Sequence, residues 1–120
     1  MRRTLTIVVL FAMVALAGGV AGTWSGTFKV SGGDHPVPQI IILKQDGNQL
    51  TGSAGPDEGE QYPIENGKVE ADRVRFELTS GEWRFSYDLK RLGPDEMKGN
   101  LELKSVGSAR TAVVSLSRKK

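Results

Sequence analysis

Residues 73–89 read RVRFELTSGEWRFSYDL, two runs of alternating apolar and polar residues joined by Ser80-Gly81. Alternation with a period of two is typical of a strand with one buried face, and a glycine-containing pair between two such runs favours a two-residue turn. A turn at Ser80-Gly81 places the apolar side chains of the segment on one face. It predicts three inward pairs, Leu78 with Trp83, Phe76 with Phe85 and Val74 with Tyr87, and two outward ion pairs, Glu77 with Arg84 and Arg73 with Asp88.

The same alternation and turn chemistry recur through the rest of the chain after residue 22, where no helical periodicity is found. A second hairpin at Asn66-Gly67 would pair Ile64 with Val69. A change of inward phase after Val69 predicts a β-bulge at Ala71-Asp72. The predicted strands are 23–30, 39–45, 48–54, 61–65, 68–79, 82–90, 95–104 and 109–118.

Eight consecutive strands linked by short turns predict one all-β domain, a single eight-stranded antiparallel up-and-down β-barrel. Closing the sheet removes its open edges, which otherwise invite aggregation. The sequence has no cysteine, so the barrel would be stabilised by its hydrophobic core without disulfides.

The N-terminal segment has a different composition. Arg2 and Arg3 precede an apolar run over residues 5–16, and small residues follow to Gly22. This order is typical of a secretory signal peptide, and the apolar run is shorter than the roughly 20 residues of a membrane-spanning helix. We predict a signal peptide over 1–22, cleaved near Ala21 or Gly22, a barrel domain over 23–120, and a secreted or periplasmic bacterial protein. An uncleaved anchoring helix is the alternative.

The charge of the predicted mature chain is balanced. Without Arg2 and Arg3, the 16 Lys and Arg residues fall to 14, equal to the 14 Asp and Glu residues. A neutral domain offers no electrostatic basis for binding nucleic acid or an anionic membrane. We therefore expect neither partner after signal cleavage.

Gly22-Thr23-Trp24 matches the G-x-W that opens the first strand of the calycins, the lipocalin and avidin group of eight-stranded barrels. The predicted domain resembles this group in architecture, and Asp46–Gly52 is similar to the D-G-N-x-L-T-G repeat of short exported bacterial proteins. In lipocalins this tryptophan closes one end of the barrel against a basic residue of the last strand. The resemblance implies that Trp24 packs under Arg118 as a structural plug.

Aromatic side chains on the inward face of predicted strand 82–90 form a candidate ligand site, because they combine apolar rings with an indole N–H and a phenol O–H. Inward glycines either allow the strands to bend or leave space beside these rings. We predict a non-catalytic binding barrel for a small apolar ligand. The alternative is that the same residues only fill the core. The site residues are Trp83, Phe85, Tyr87 and Gly99, and the other inward glycines are Gly26 and Gly52.

A second hypothesis is a protein-binding or inhibitor module that acts through its loops and the outer face of strand 39–45. A turn at Asp46-Gly47 would pair Leu43 with Leu50 inside the barrel. Ile40 and Ile42 would then point outward as adjacent exposed apolar residues, which is typical of a partner surface or of self-association.

Candidate catalytic and metal-binding groups are sparse. His35 lies beside Asp34 in a loop-like segment with no nucleophile arranged around it. The acidic residues Asp57, Glu58 and Glu60 could offer oxygen ligands, but their spacing does not match an EF-hand. We predict that the protein is not an enzyme and uses no metal or cofactor.

Overall fold

The computed structural model describes residues 19–33 and 35–119, and every regular element in these ranges is a β-strand. Within the same ranges, no helix is long and apolar enough to cross a membrane. The predicted signal peptide falls on residues 1–18, outside the described part of the chain, and on residues 19–22. The strands of the described residues are β1 Gly22–Val30, β2 Val37–Asp46, β3 Gln49–Asp57, β4 Glu60–Pro63, β5 Glu65–Glu70, β6 Arg73–Ser80, β7 Trp83–Gly93, β8 Glu96–Ser105 and β9 Ser108–Arg118.

These strands close into an antiparallel barrel. Around the sheet the order is β2-β1-β9-β8-β7-β6-β5-β3-β4, and β2 also pairs with β3, which completes the ring. β4 and β5 are separated only by Ile64 and both pair with β3, so together they fill one strand position. The predicted eight-stranded up-and-down barrel is therefore confirmed, with one additional strand segment.

The predicted hairpin at Asn66-Gly67 is wrong. Asn66 has a φ of 52°, and the pairing register of β5 with β6 shifts between Glu65 and Lys68. The two residues thus form an irregularity within β5 and do not reverse the chain. Asn-Gly tolerates left-handed backbone both in a tight turn and in a bulge, so the sequence pair does not distinguish them.

The predicted bulge at Ala71-Asp72 is instead the turn between β5 and β6. Val69 pairs directly with Val74 across it, and Ala71 has a φ of 56°. Left-handed backbone is uncommon for alanine. The local sequence offers Asp72 but no glycine or proline as a turn signal here, and the long predicted strand 68–79 divides into β5 and β6.

The hairpin of β6 and β7 forms one residue further along than predicted, with its turn at Gly81-Glu82. Gly81 has a φ of 61° and stands first in the turn, the position that a type II′ turn reserves for glycine. Moving a turn by one residue moves the pairing by two, so the inward and outward faces are unchanged while every partner is different. The observed pairs are Ser80 with Trp83, Leu78 with Phe85, Phe76 with Tyr87 and Val74 with Leu89.

The same correction applies to the hairpin of β2 and β3. Its turn lies at Gly47-Asn48, and Leu43 pairs with Gly52 where Leu50 was predicted. Leu43 and Leu50 are nevertheless both buried. The face of each residue is thus correctly predicted even where its partner is not.

The core fills the barrel interior from the end at which Val20 and Trp24 lie, and it begins earlier in the chain than the predicted boundary at residue 23. Val20 is fully buried against this core, and β1 starts at Gly22. The largest fully buried side chains are Trp24, Phe76, Ile41, Leu43, Leu89, Met97, Leu101, Val20, Val74 and Val114.

Candidate functional site

The two ends of the barrel are built differently. The connections after β1, β3, β6 and β8 lie at one end, here called the open end. The connections after β2, β5 and β7 lie at the other, together with residues 19–21 and Arg118, and this is the closed end. A cavity of about 190 Å³ occupies the open end. It is lined by inward side chains near the strand ends, with walls formed by Phe28, Val37, Ala54, Tyr62, Leu78 and Phe85.

One buried polar pair contributes to this apolar cavity. The Tyr87 hydroxyl donates a 2.5 Å hydrogen bond to Oε1 of Gln39, a residue only 5% exposed. Both residues line the cavity. Burial raises the pKa of Tyr87, so its phenol stays protonated and acts as the donor. The Tyr87 ring also stacks on Phe76 with 4.5 Å between ring centroids.

The carboxamide of Gln39 has hydrogen-bonding capacity left over. Its two N–H groups have a single acceptor among the described residues, the Pro38 carbonyl oxygen at 3.4 Å. That distance is long for an N–H···O hydrogen bond. The side chain can therefore donate a hydrogen bond to a ligand atom in the cavity while Tyr87 holds its oxygen.

Two of the four predicted ligand residues line the cavity, and the other two do not. Phe85 and Tyr87 line the cavity, whereas Trp83 is half-buried at the start of β7 and does not line it. Gly99 pairs with Leu89 and Val114 in mid-barrel and also lies outside the lining. A ligand role for Gly99 therefore has no support from the position of the cavity.

Close approach of neighbouring backbone explains the inward glycines. A Cβ on Gly99 would collide with the Asp88 carbonyl oxygen, and one on Gly26 would collide with that of Ser115. Gly52 likewise approaches the Ile42 carbonyl. Glycine at these positions therefore lets the paired strands approach each other closely, and it does not open space for a ligand.

Gln39 lines the cavity but is not among the predicted site residues. Gln39 shares the inward phase of Ile41 and Leu43, and all three are buried. A glutamine on the buried face of an otherwise apolar strand needs a hydrogen-bond partner. A buried glutamine could be recognised from the sequence, but its hydrogen-bond partner Tyr87, 48 residues away, could not.

Trp24 and Arg118 meet at the closed end, where the resemblance to calycins implies a plug. Cζ of Arg118 lies 4.5 Å from the Trp24 ring centroid, and the two residues are direct cross-strand partners. The Arg118 side chain is only 20% exposed. Its Nε donates to Oδ1 of Asp95 at 3.0 Å, and Nη2 donates to the Pro94 carbonyl at 2.8 Å. This cluster closes the end of the barrel that lies opposite the cavity.

Ile40 and Ile42 lie on the outer face of β2, as predicted, but both are half-buried where exposed side chains were predicted. The Gln61 side chain reaches across β3 to this surface. Its Oε1 accepts a hydrogen bond from the Ser53 hydroxyl, and its Nε2 donates a hydrogen bond of 3.1 Å to the Ile40 carbonyl oxygen. Large apolar residues of the described chain that are exposed lie elsewhere, at Leu92, Val106 and Val113. A partner role for the two isoleucines remains a prediction.

The acidic residues near the β3–β4 turn bond their neighbours. Oδ1 of Asp57 accepts the N–H groups of Gly59 and Glu60, each at 2.9 Å, and Glu60 accepts the Tyr62 hydroxyl at 2.6 Å. Residues 19–33 and 35–119 contain no group of three His, Cys, Asp or Glu side chains that could hold a metal ion. His35 is exposed, and its predicted neighbour Asp34 lies outside these ranges.

Comparison with known proteins supports the fold. No protein-family model and no curated protein matches the sequence. The solved structure of EF1p2_mFAP2b bound to DFHBI superposes with a TM-score of 0.65 at 16% identity, covering 89% of this chain and 99% of that one. The two proteins thus share a barrel fold, and in that neighbour the barrel protein is bound to a small molecule.

Proposed function

We propose that this protein is an exported binding barrel, without catalytic activity, for a small, neutral, mainly apolar ligand that enters at the open end. The observation that carries the proposal is the Tyr87–Gln39 pair in the wall of an otherwise apolar cavity. Small-molecule sites commonly combine apolar walls with a few polar groups that orient the ligand. The charged and small-residue pattern of residues 1–22 supports export, and the small molecule bound by EF1p2_mFAP2b supports ligand binding by analogy of fold.

The cavity limits the size of the ligand. An apolar cavity of about 150 Å³ in another protein holds benzene. The volume of about 190 Å³ therefore suits one aromatic ring with a short substituent. Phe28, Leu78 and Phe85 supply the contact surface for such a ring.

The polar groups of the cavity limit the chemistry of the ligand. Gln39 offers an N–H donor, which favours a ligand with a carbonyl or ether oxygen. Among the described residues that line the cavity, Glu60 carries a charge, and its carboxylate would repel an anionic ligand. We therefore expect a neutral aromatic compound with one hydrogen-bond acceptor.

Matched probes test this chemistry in NMR titrations of the isotopically labelled protein. Acetophenone and ethylbenzene have nearly the same shape, but only acetophenone has an acceptor. We expect acetophenone to bind about tenfold more tightly, the size of one neutral hydrogen bond. Benzoate should bind more weakly than either.

Two variants and their controls complete the test. Gln39→Leu removes the donor, so it should abolish the preference for acetophenone, whereas the exposed Gln49→Leu should keep it. Val37→Phe should fill the cavity and prevent binding, whereas Val113→Phe on the outer face should not. Circular dichroism checks that each variant is folded. If the wild type gives no saturable shift with acetophenone, or if Gln39→Leu retains the preference, the proposed function is wrong.

A further inference from the structure

Residues 19–21 precede β1, yet they are packed into the closed end of the barrel. Val20 is 0% exposed and belongs to the core. Its N–H donates to Oε1 of Gln45 at 2.8 Å, and its carbonyl accepts the indole Nε1–H of Trp24 at 2.9 Å. Val20 is thus held by both its backbone groups and its side chain.

Arg118 binds the residues on either side of Val20. Nη2 donates to the Gly19 carbonyl at 3.0 Å, and Nη1 donates to the Ala21 carbonyl. Three consecutive carbonyls, of residues 19, 20 and 21, therefore accept hydrogen bonds from Trp24 and Arg118. The plug consists of these two side chains together with the segment 19–21.

Removal of residues 19–21 would damage the closed end. The buried Trp24 N–H would lose its acceptor, and a buried polar group without a partner is costly. The Arg118 guanidinium would lose two acceptors, and the space filled by Val20 would become a cavity beside the core. The folded barrel is therefore more stable with these residues than without them.

Residues 12–22 contain three small-x-small patterns of the kind that signal peptidases recognise. Ala15-Leu16-Ala17 would direct cleavage before Gly18, Ala17-Gly18-Gly19 before Val20, and Gly19-Val20-Ala21 before Gly22. Only the first cut retains the whole packed segment, since the second removes Gly19 with its carbonyl and the third removes residues 19–21. The patterns alone do not decide between the cuts.

We propose that Ala17–Gly18 is the bond cleaved by signal peptidase, so that the mature chain begins at Gly18 and keeps its own plug. Hydrolysis of this peptide bond consumes one water and leaves a carboxylate on Ala17 and an amino group on Gly18. The predicted signal peptide is therefore shortened from 1–22 to 1–17. This assignment is independent of what the cavity binds.

The full-length chain, expressed in a bacterium that exports it, tests the cleavage site. Intact mass and N-terminal sequencing of the exported protein should identify Gly18 as the first residue. Ala17→Phe should cause precursor to accumulate, whereas Ala21→Phe, at an exposed position four residues on, should be processed normally. An N-terminus at Val20, Gly22 or Thr23, intact Met1 on exported protein, or a processing block by Ala21→Phe alone would overturn the proposal.

A second measurement isolates the contribution of the segment. Purified chains that start at Gly18 and at Gly22 are compared by denaturant unfolding. The loss of Val20 and its hydrogen bonds should raise the unfolding equilibrium constant by about a hundredfold. Equal unfolding midpoints for the two chains would contradict a structural role for residues 19–21.

Discussion

At the scale of single residues, Trp24 and Arg118 contribute in different ways to the closed end. Trp24 fills a fully buried site and donates one hydrogen bond. Arg118 covers the ring and also bonds Asp95 and three backbone carbonyls. Its importance therefore rests on more than the cation–π contact, whose contribution at a partly exposed site is small.

Alanine substitutions at the plug should separate these roles. We expect Trp24→Ala to lower the free energy of unfolding by about 3–5 kcal/mol, the range for emptying a large aromatic site. Arg118→Ala should lower it by about 2–3 kcal/mol, because several hydrogen bonds are lost together. Arg118→Lys should fall between wild type and alanine, since an ammonium cannot reproduce the guanidinium fork.

Urea unfolding followed by circular dichroism measures all three plug variants. Val113→Ala, on the outer face, is the control for a surface substitution. A wild-type midpoint for Trp24→Ala would show that this end of the barrel does not depend on the plug.

At the scale of elements, the turns decide how the strands pair. Gly81 has a φ of 61° at the first turn position, whereas Gly93 at the end of β7 has no positive φ. A methyl group added to Gly93 would also meet no other atom within 4 Å. Left-handed backbone costs a residue with a Cβ roughly 1–2 kcal/mol. An alanine should therefore be tolerated at position 93 but should be strained at position 81.

This difference predicts opposite effects of the same substitution. Gly81→Ala should destabilise the protein by about 1–2 kcal/mol. Gly93→Ala should be neutral or slightly stabilising, by up to about 1 kcal/mol, because alanine restricts the unfolded chain. Thermal and urea unfolding compare the pair directly. Equal destabilisation by both would contradict the type II′ turn and the observed register.

The ion pairs between β6 and β7 are diagonal because of that register. Arg84 lies 2.6 Å from Glu77, and Arg73 lies 2.8 Å from Asp88, although neither pair is directly opposite. Diagonal neighbours in an antiparallel pair remain within reach of long side chains. The charge complementarity visible in the sequence is therefore kept after a two-residue shift.

Glu77 should make stability depend on pH. Hydrogen bonds from Asn66 and then Arg84 hold the pKa of Glu77 below its ordinary value of 4.5. A lowered folded-state pKa contributes stability above the unfolded-state pKa, and this contribution is lost as the pH falls through the folded-state pKa. Glu77→Gln should thus be less stable than wild type near about pH 7, and the difference should disappear towards about pH 3.

Urea unfolding across this pH range tests the role of Glu77. Glu82→Gln is the matched control, since Glu82 is exposed in the β6–β7 turn and forms no ion pair with the described residues. A Glu77→Gln difference that stays constant from neutral to acid pH would show that its carboxylate charge does not contribute.

At the scale of the whole molecule, the plug and the cavity lie at opposite ends of the barrel. Val20 and Arg118 contact Trp24 at the closed end, and the cavity with Gln39 and Tyr87 lies towards the open end. Near the cavity, β4 pairs with β3 and has no ladder to β6 in the described sheet. The open end is thus the less fully hydrogen-bonded part of the described barrel, and the proposed ligand would enter there.

The amino-acid sequence by itself determined the properties that depend on local alternation. A period of two shows which side chains of a strand face the core, and this held for β6 and β7 even though their turn was misplaced by one residue. An even shift in pairing preserves the faces. The all-β class and the up-and-down order could be predicted for the same reason, whereas the contact of Trp24 with Arg118 was implied by the resemblance to calycins.

Only the tertiary structure decided features that depend on distant parts of the chain. Asn66-Gly67 and Ala71-Asp72 exchange their predicted roles because the turn there follows from how β5 meets its neighbours. Gly99 is required by the close approach of the β7 backbone, which no local pattern reveals. Gln39 and Tyr87 form a hydrogen-bonded pair because barrel closure brings together inward positions from β2 and β7, strands that are not neighbours in the sheet.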